Sequence, residues 1–456
     1  MKITKFGGSS LADATQFRKV ISILAGDDSR KVVVTSAPGK RYSTDIKVTD
    51  LLIEYANQVL GHAETAAICN TIFARYEDIG REFAVAESIL TDIKCRLAAL
   101  AQTSFANSND LLHAFKAHGE MLNAILFAEC LRTSGYPARF VDPHELGIVA
   151  TEEDREVLIA DETYTNIQNF QVGSEILVVP GFYAYTPSGK IVTFERGGSD
   201  ITGSILATGL GAEMYENFTD VDAIFSANPN VINNPSAIEI MTYREMRELS
   251  YAGFSVFNDE AIIPAIKGRV PINVKNTNHP EAPGTLIISD TEYQARQLVT
   301  GIAASSRFAA LYLHRYLLNK QAGFTLKILQ ILYKYGVSYE HMPSGIDDLT
   351  IIFDKSQLKP EIINQFLTDI KNEVCPDEME WIDDYAIIMV VGEGMRDRVG
   401  IIENIINPLA QHDIPVKMIN QGASRISIML GTDKEDAAAA IKYIYNRFFN
   451  NNYLEA

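Results

Sequence analysis

The sequence predicts an α/β protein: a three-layer αβα domain on a mainly parallel sheet, followed by two ferredoxin-like βαββαβ modules. Three observations predict it. Strand-sized apolar runs alternate with helix-period segments through the first two thirds of the chain. Within that part, a strand–Gly–Gly–hydroxyl–helix junction occurs twice, at Gly7-Gly8-Ser9-Ser10 and at Gly197-Gly198-Ser199. The last third repeats itself, with Gly323-Phe324 and Gly400-Ile401 standing 77 positions apart.

Met1–Lys5 and Lys31–Thr35 are expected to be strands. Between them Leu11, Phe17, Val20, Ile21 and Leu24 fall on one helical face, with Asp13 placed to cap it. A second helix is expected over Leu111–Leu131, with Leu112, Phe115, Leu122, Ile125 and Leu126 on its buried side. Glu175–Pro180 and Ile191–Phe194 are predicted strands on either side of the turn Thr186-Pro187-Ser188-Gly189. Met214–Phe218 is another, and Ile201–Leu210 a helix. Such alternation puts helices on both faces of a parallel sheet. This domain is expected to span residues 1–295, ending beyond the Pro/Gly-rich stretch His279–Gly284.

In the repeat, Ile328 matches Ile405, Leu332 matches Leu409, Val337 matches Ile414 and Met342 matches Ile419. Gly345 then falls on Gly422, and Leu349, Ile351 and Phe353 on Ile426, Ile428 and Leu430, without a gap. Each copy reads helix, strand, tight turn, strand, the order of a duplicated ferredoxin-like unit. The modules are expected to occupy 296–456, the first about 308–382 and the second about 296–307 plus 383–456.

The 456 residues are 47% hydrophobic, enough for two to four domains with real cores. A formal charge of −18 with no basic stretch argues against nucleic acid or an anionic membrane as partner. The same charge requires any site for an anionic ligand to be made locally positive. Cys69, Cys95, Cys130 and Cys375 are scattered, with no Cys-x-x-Cys pair and no His cluster, which fits a reducing cytoplasm better than a disulfide framework or structural zinc. No signal-peptide core precedes Gly7, and apolar runs are strand-sized, so a soluble cytoplasmic protein is expected.

Gly7-Gly8-Ser9-Ser10 sits where a phosphate binder should be. Two glycines admit close backbone approach, the hydroxyls add donors, and the helix start offers exposed amides. Lys5, at the end of the strand, is placed to neutralise β- and γ-phosphates; an ordinary Gly-rich turn is the plainer alternative. Gly-x-x-x-x-Gly-Lys-Ser/Thr is absent, and Gly392 and Gly394 lack the third glycine of a dinucleotide fingerprint. The second junction adds Arg196 and Asp200. Arg can hold a carboxylate with two parallel hydrogen bonds, and Asp can order a lysine or Mg²⁺, although a surface pair beside a turn has the same pattern. Gly119-Glu120 lies inside the second helix, where the Gly permits close approach and Glu120 can bind an amino group; a solvated helix carboxylate is the plainer reading. Thr219-Asp220-Val221-Asp222 follows a strand, at the kind of loop where ligands gather in doubly wound sheets. It lacks the Gly and Glu of a calcium loop.

With these segments the chain resembles the aspartate kinase family of the amino-acid kinase superfamily. The resemblance rests on Lys5–Ser10, Ser36-Ala37-Pro38-Gly39, Thr49-Asp50-Leu51-Leu52, His118-Gly119-Glu120, Phe194–Asp200, Thr219–Phe225 and Val270–Thr277 with Pro280–Thr285. The C-terminal pair resembles ACT domains, best at Met418–Ser424. It implies the amino-acid kinase fold and phosphorylation of the aspartate side-chain carboxylate by MgATP, the first step towards lysine, threonine and methionine. By matching position, Lys5 and Asp200 would be catalytic, with Lys5, Gly7, Gly8 and Ser9 around the phosphates. Ser36, Thr49, Glu120, Arg196, Gly197, Gly198 and Ser199 would surround L-aspartate, Arg196 taking its α-carboxylate and Glu120 its α-amino group. Thr219, Asp220, Phe225, Asn230 and Val256 would line the adenosine. Asp200 would orient Lys5 or the metal; no protein metal ligand is assigned, and Mg²⁺ is expected with ATP.

Around the nucleotide the wording departs from the family: Ala223–Asn230 and Gly253–Asn258 lack an Arg and a Lys, with Asn230 and Ser255 in their places. Tyr42–Val48 resembles a short insertion beside the substrate loop. The ACT pair implies feedback by an amino acid, lysine favoured and threonine next, with Gly323, Phe324, Ser338, His341, Met342 and Ser344 as contacts, and a homodimer or larger assembly. The alternatives are a sister kinase of another carboxylate, such as glutamate, and a catalytically silent amino-acid sensor.

Overall fold

The N-terminal strand forms over Lys2–Phe6 and lies inside an eight-stranded sheet, between Arg30–Thr35 and Met214–Thr219. The structure is a computed structural model that describes residues 1–153, 156–194, 197–254 and 260–450. These group into two units. The first takes Met1–Ile224, Ala237–Met246 and the described part of Ser255–Tyr293; the second takes Phe225–Ser236, Arg247–Phe254 and the chain from Gln294 onward.

Edge to edge, the sheet of the first unit runs Ile240–Thr242, Thr285–Ile288, Ile272–Asn276, Met214–Thr219, Lys2–Phe6, Arg30–Thr35, Ile176–Pro180, Ala138–Phe140. Every neighbouring pair is parallel except Ile272–Asn276 with Thr285–Ile288. A parallel sheet is covered on both faces, so a central strand need not alternate: Val32, Val33 and Val34 are all fully buried. The first helix spans Ala14–Ala25, and the Asp13 carboxylate accepts from the Gln16 N–H at 2.9 Å. Phe17, Val20, Ile21 and Leu24 are buried, as the period predicts.

The long helix Ser108–Thr133 is the centre of the helical layer, packed against Val48–Leu60, Ala66–Glu82 and Glu87–Leu100. It is buried on more than one side, which its sequence pattern did not disclose. The carboxyl ends of the parallel strands, at Phe6, Thr35, Pro180, Thr219 and Asn276, meet along one edge of the sheet.

The second unit holds a five-stranded antiparallel sheet, in the order Asp348–Asp354, Gly301–His314, Glu378–Val391, Ser427–Asp433, Met418–Asn420. The two central strands are 14 residues each, long enough to serve both modules. Leu311 and Leu313 pack in one core with Phe324–Tyr335 and Pro360–Val374. Ile302, Ile388 and Val390 pack in another with Ile401–Ala410 and Ala437–Tyr445. The repeat is therefore physical. Ile328 and Ile405 are fully buried in equivalent helices, and Gly323 and Gly400 begin those helices at φ 81° and 85°, where a Cβ is strained. One strand differs. Met418–Asn420 has its counterpart only as isolated bridges, His341 with Ile352 and Ser344 with Leu349, because Pro343 between them has no N–H to give a ladder.

Candidate active site

Where the strand Lys2–Phe6 ends, the Gly7 N–H donates to the Phe218 carbonyl at 3.2 Å, and Gly8–Leu11 turns the chain towards the first helix. Ser9 is exposed, while the buried Ser10 hydroxyl is hydrogen-bonded to that of Thr277 at 2.7 Å. Gly8 lies against the loop that follows Arg30–Thr35. The Gly39 N–H donates to the Gly8 carbonyl at 2.8 Å, and a Cβ on Gly39 would fall 2.5 Å from the Gly8 carbonyl carbon. Two backbones this close leave no room for a side chain. Gly39→Ala is accordingly expected to cost about 1–3 kcal/mol of stability and roughly 10²-fold in turnover, read by thermal unfolding and initial rates.

Lys5 extends from the same strand to the start of the helix Gly198–Gly209. Its Nζ is 2.5 Å from Asp200 Oδ1, with both side chains nearly enclosed. Asn217, its neighbour on the parallel strand, donates from Nδ2 to the same Asp200 oxygen at 2.9 Å and accepts from Lys5 at 3.5 Å. Asp200 thus orients the ammonium. Gly197 caps this helix at φ 79°. A Cβ on Gly198 would lie 2.6 Å from Phe182, so this pair of glycines answers to backbone conformation and close packing. The buried Ser199 touches Gly181, whose N–H donates to the Thr35 carbonyl at 3.0 Å. Arg196 lies outside the described residues.

Beyond Thr35, one peptide group is gripped at both ends. The Ala37 N–H donates to Glu120 Oε1 at 3.1 Å, and Asn123 Nδ2 donates to the Ser36 carbonyl at 2.7 Å. Glu120 and Asn123 lie one turn apart on Ser108–Thr133, on the side facing the sheet. Gly119 lets that helix come close, since its Cβ would meet the Ala37 Cβ at 2.9 Å and Leu52 at 3.1 Å. Glu120 is 5% exposed, so it is not the solvated helix carboxylate of the plainer reading. Its Oε2 has no hydrogen-bond partner, and neither do the buried Thr35 Oγ1 and Asn123 Oδ1. Burial disfavours the charged form and pushes the Glu120 carboxyl up to about 8, against the pull of the Ala37 N–H. Thr49 is in the first turn of Val48–Leu60, where the Val48 N–H donates to the Pro38 carbonyl at 3.2 Å.

Thr219 and the exposed Asp220 close the strand Met214–Thr219. Phe225 and Asn230 are counted with the second unit, Asn230 exposed, and Val256 lies outside the described residues. Among the described residues no group of three or more His, Cys, Asp or Glu is placed to hold a metal ion. Of the expected effector contacts, Gly323 starts a helix and Phe324 is buried in the module core, which leaves only its backbone for a ligand. Ser338 is hydrogen-bonded through both N–H and hydroxyl to Gln357 Oε1 at 2.8 Å. His341 Nε2 is 3.3 Å from the Tyr251 hydroxyl; Met342 is half-buried and Ser344 exposed.

The sheet edge thus carries a held cation, backbone amides at two helix starts, and a buried carboxylate with a free oxygen. These parts suit an anion beside a small cationic group. Asn123 and Asn217 were not among the expected site residues, and Gly39 entered only as the end of the motif Ser36-Ala37-Pro38-Gly39. Asn123 could have been found as a polar residue three after Glu120 on an otherwise apolar face, whereas Asn217, beside Glu216 in Met214–Thr219, carries no such local signal.

The sequence model of the amino acid kinase family matches residues 1–276, and that of an ACT domain matches 388–448. Aspartokinase 3 of Bacillus subtilis (strain 168) is 42% identical over 449 residues, 98% of this chain and 99% of that protein. Chloroplastic aspartokinase 1 of Arabidopsis thaliana is 26% identical over 464 residues, 99% of this chain and 81% of that one. Clostridium acetobutylicum aspartate kinase, an allosteric enzyme, superposes with a TM-score of 0.87 at 36% identity, covering 98% of this chain and 100% of its own. Escherichia coli aspartokinase III with aspartate and ADP shares the fold, at a TM-score of 0.76 and 22% identity over 98% of this chain and 100% of its own. No helix among the described residues is long and apolar enough to cross a membrane.

Proposed function

The chain belongs to the amino acid kinase family, and from that premise we infer that it is an aspartate kinase, moving the γ-phosphoryl group of MgATP onto the side-chain carboxylate of L-aspartate. A carboxylate oxygen forms the new P–O bond as the bond between the γ-phosphorus and its bridging oxygen breaks, giving 4-phospho-L-aspartate and ADP. The nucleophile is already ionised at neutral pH, so no general base is needed. The difficulty is the approach of two anions, which positioned cations and amides relieve.

One observation carries the assignment of substrate: Glu120 is buried with one oxygen unpartnered. A buried carboxylate calls for a cation, and the α-ammonium of an amino acid supplies one. Lys5, steered by Asp200, faces the transferring phosphate, while Gly7, Gly8 and Ser9 offer amides to it. Ser36, Thr49 and Ser199 surround the acceptor, and Arg196 takes its α-carboxylate. Thr219 and Asp220 serve the nucleotide. Magnesium arrives with ATP as part of the substrate. Residues 1–295 are the catalytic domain and 296–456 the tandem ACT domains. These take a feedback amino acid, lysine before threonine, and pair subunits into a homodimer or larger assembly.

The test is a hydroxamate assay with protein, MgATP, hydroxylamine and either aspartate, glutamate or no acceptor. Aspartate-dependent hydroxamate is expected. Product with glutamate alone would transfer the assignment to a sister kinase, and no product with either acceptor would leave an amino-acid sensor.

A further inference from the structure

The segment Tyr42–Val48, which reads as an insertion, has no part in the division of labour above, yet it is tied down beside the acceptor residues. Its tie is Arg75, on the helix Ala66–Glu82. Arg75 is 5% exposed, a depth at which a guanidinium needs partners. Its two terminal nitrogens find them in the loop, while the buried Nε has none. Nη2 donates to the Gly39 carbonyl at 2.6 Å and Nη1 to the Ile46 carbonyl at 2.9 Å, so one planar group grips the loop where it leaves and where it returns. Asp45, also buried, lies 3.3 Å from Nη1 and is shared with Arg41, whose Nε donates to it at 2.9 Å. These cations hold the Asp45 carboxyl well below the usual carboxylate range, the Arg41 hydrogen bond foremost.

Two consequences reach the reaction centre. Gly39, fixed by Arg75 at its carbonyl, is fixed at its N–H by the Gly8 carbonyl, so the guanidinium sets the register between the acceptor loop and the glycine loop. Ile46, at the far end, precedes the helix that begins at Val48 and carries Thr49. Arg75 itself faces backbone carbonyls and a carboxylate, and needs no contact with either substrate.

We propose that Arg75 is a positioning residue for phosphoryl transfer, holding Gly39 and Ile46 so that the acceptor loop with Ser36 and Thr49 keeps its place against the Gly7–Ser9 loop. The proposal rests on the aspartate kinase reading, and native turnover with aspartate tests that reading separately. The experiment compares native protein, Arg75→Met, Arg75→Lys and Asp45→Asn in steady-state assays varying aspartate and MgATP, with thermal unfolding alongside. Arg75→Met is expected to raise KM for aspartate at least 10-fold and lower kcat a further 10-fold, with KM for MgATP within about twofold of native. Arg75→Lys keeps the charge but cannot span both carbonyls, and should show the same pattern at smaller amplitude. Asp45→Asn leaves both carbonyl contacts and should stay within threefold of native. If Arg75→Met does not fold, the pattern is read on Arg75→Lys. A native KM for aspartate in the folded Arg75 variant overturns the proposal. So does a loss confined to kcat in proportion to the unfolded fraction, which is what a merely structural residue gives.

Discussion

Lys5→Ala is expected to lower turnover by roughly 10³-fold or more while leaving binding of the feedback amino acid intact. The ammonium is the one described cation on the sheet edge that a carboxylate holds in place, 2.5 Å from Asp200, and it sits at the end of the strand that feeds the glycine loop. On the proposed reading, a charge already held in place needs no reorganisation as negative charge shifts towards the bridging oxygen. Removing it also strands Asp200 beside Asn217 alone, in a site nearly closed to water. Breaking such a pair costs about 3 kcal/mol or more of stability, so folding is checked by circular dichroism before rates are compared. Lys5→Met combined with Asp200→Asn removes both charges and should recover most of that stability without recovering turnover. Near-native turnover in either variant removes Lys5 from the mechanism.

For Glu120→Gln the expected result is a rise of roughly 10²-fold in KM for aspartate, the loss of one charge-assisted hydrogen bond. The amide keeps an oxygen for the Ala37 N–H, so the grip on the Ser36–Ala37 peptide survives and only the charge is lost. The pH dependence separates this from a packing defect. In the free protein the Glu120 carboxyl is pushed up to about 8, so below that pH it is mostly protonated and must lose a proton to receive an ammonium. For the native protein kcat/KM for aspartate should therefore climb from pH 6 to 8 and then level off, and in Glu120→Gln this climb should vanish. Stability moves the other way. A carboxyl raised in the folded state favours folding fully below the unfolded value near 4.3, and that contribution is lost as pH rises through about 8. The ligand-free protein should lose melting temperature across that window, Glu120→Gln should lose less, and aspartate should restore the native value. A variant that keeps the native pH profile would show that another group binds the amine.

Much of this was legible in the chain. The first helix, its Asp13 cap and the strands around it follow from period and capping chemistry, which act within a few residues and are therefore written locally. The duplication was legible for a similar reason. An ungapped register of apolar positions and two glycines can only be kept by equivalent packing, and Gly323 and Gly400 do open equivalent helices in left-handed conformation. Less legible was the helix Ser108–Thr133. Its faces are apolar nearly all round, so period alone did not separate the residues facing the sheet from those facing other helices. Glu120 then had the look of a solvated residue, although its helix places it 83 positions along the chain from its partner Ala37.

Sequence by itself determined the class of fold, the duplicated C-terminal module, and the two glycine junctions with a lysine and an aspartate beside them. Tertiary structure decided what those parts do to one another. It made Asp200 the partner of Lys5 and buried Glu120 with a free oxygen. It also set Asn123 and Glu120 on opposite ends of one peptide group, and threaded Arg75 into a loop that no local pattern connects to it. The physical reason is the parallel sheet. Its strands are neighbours only through crossovers of many residues, so the groups that meet at its carboxyl edge come from distant segments, and local rules say nothing about which will touch.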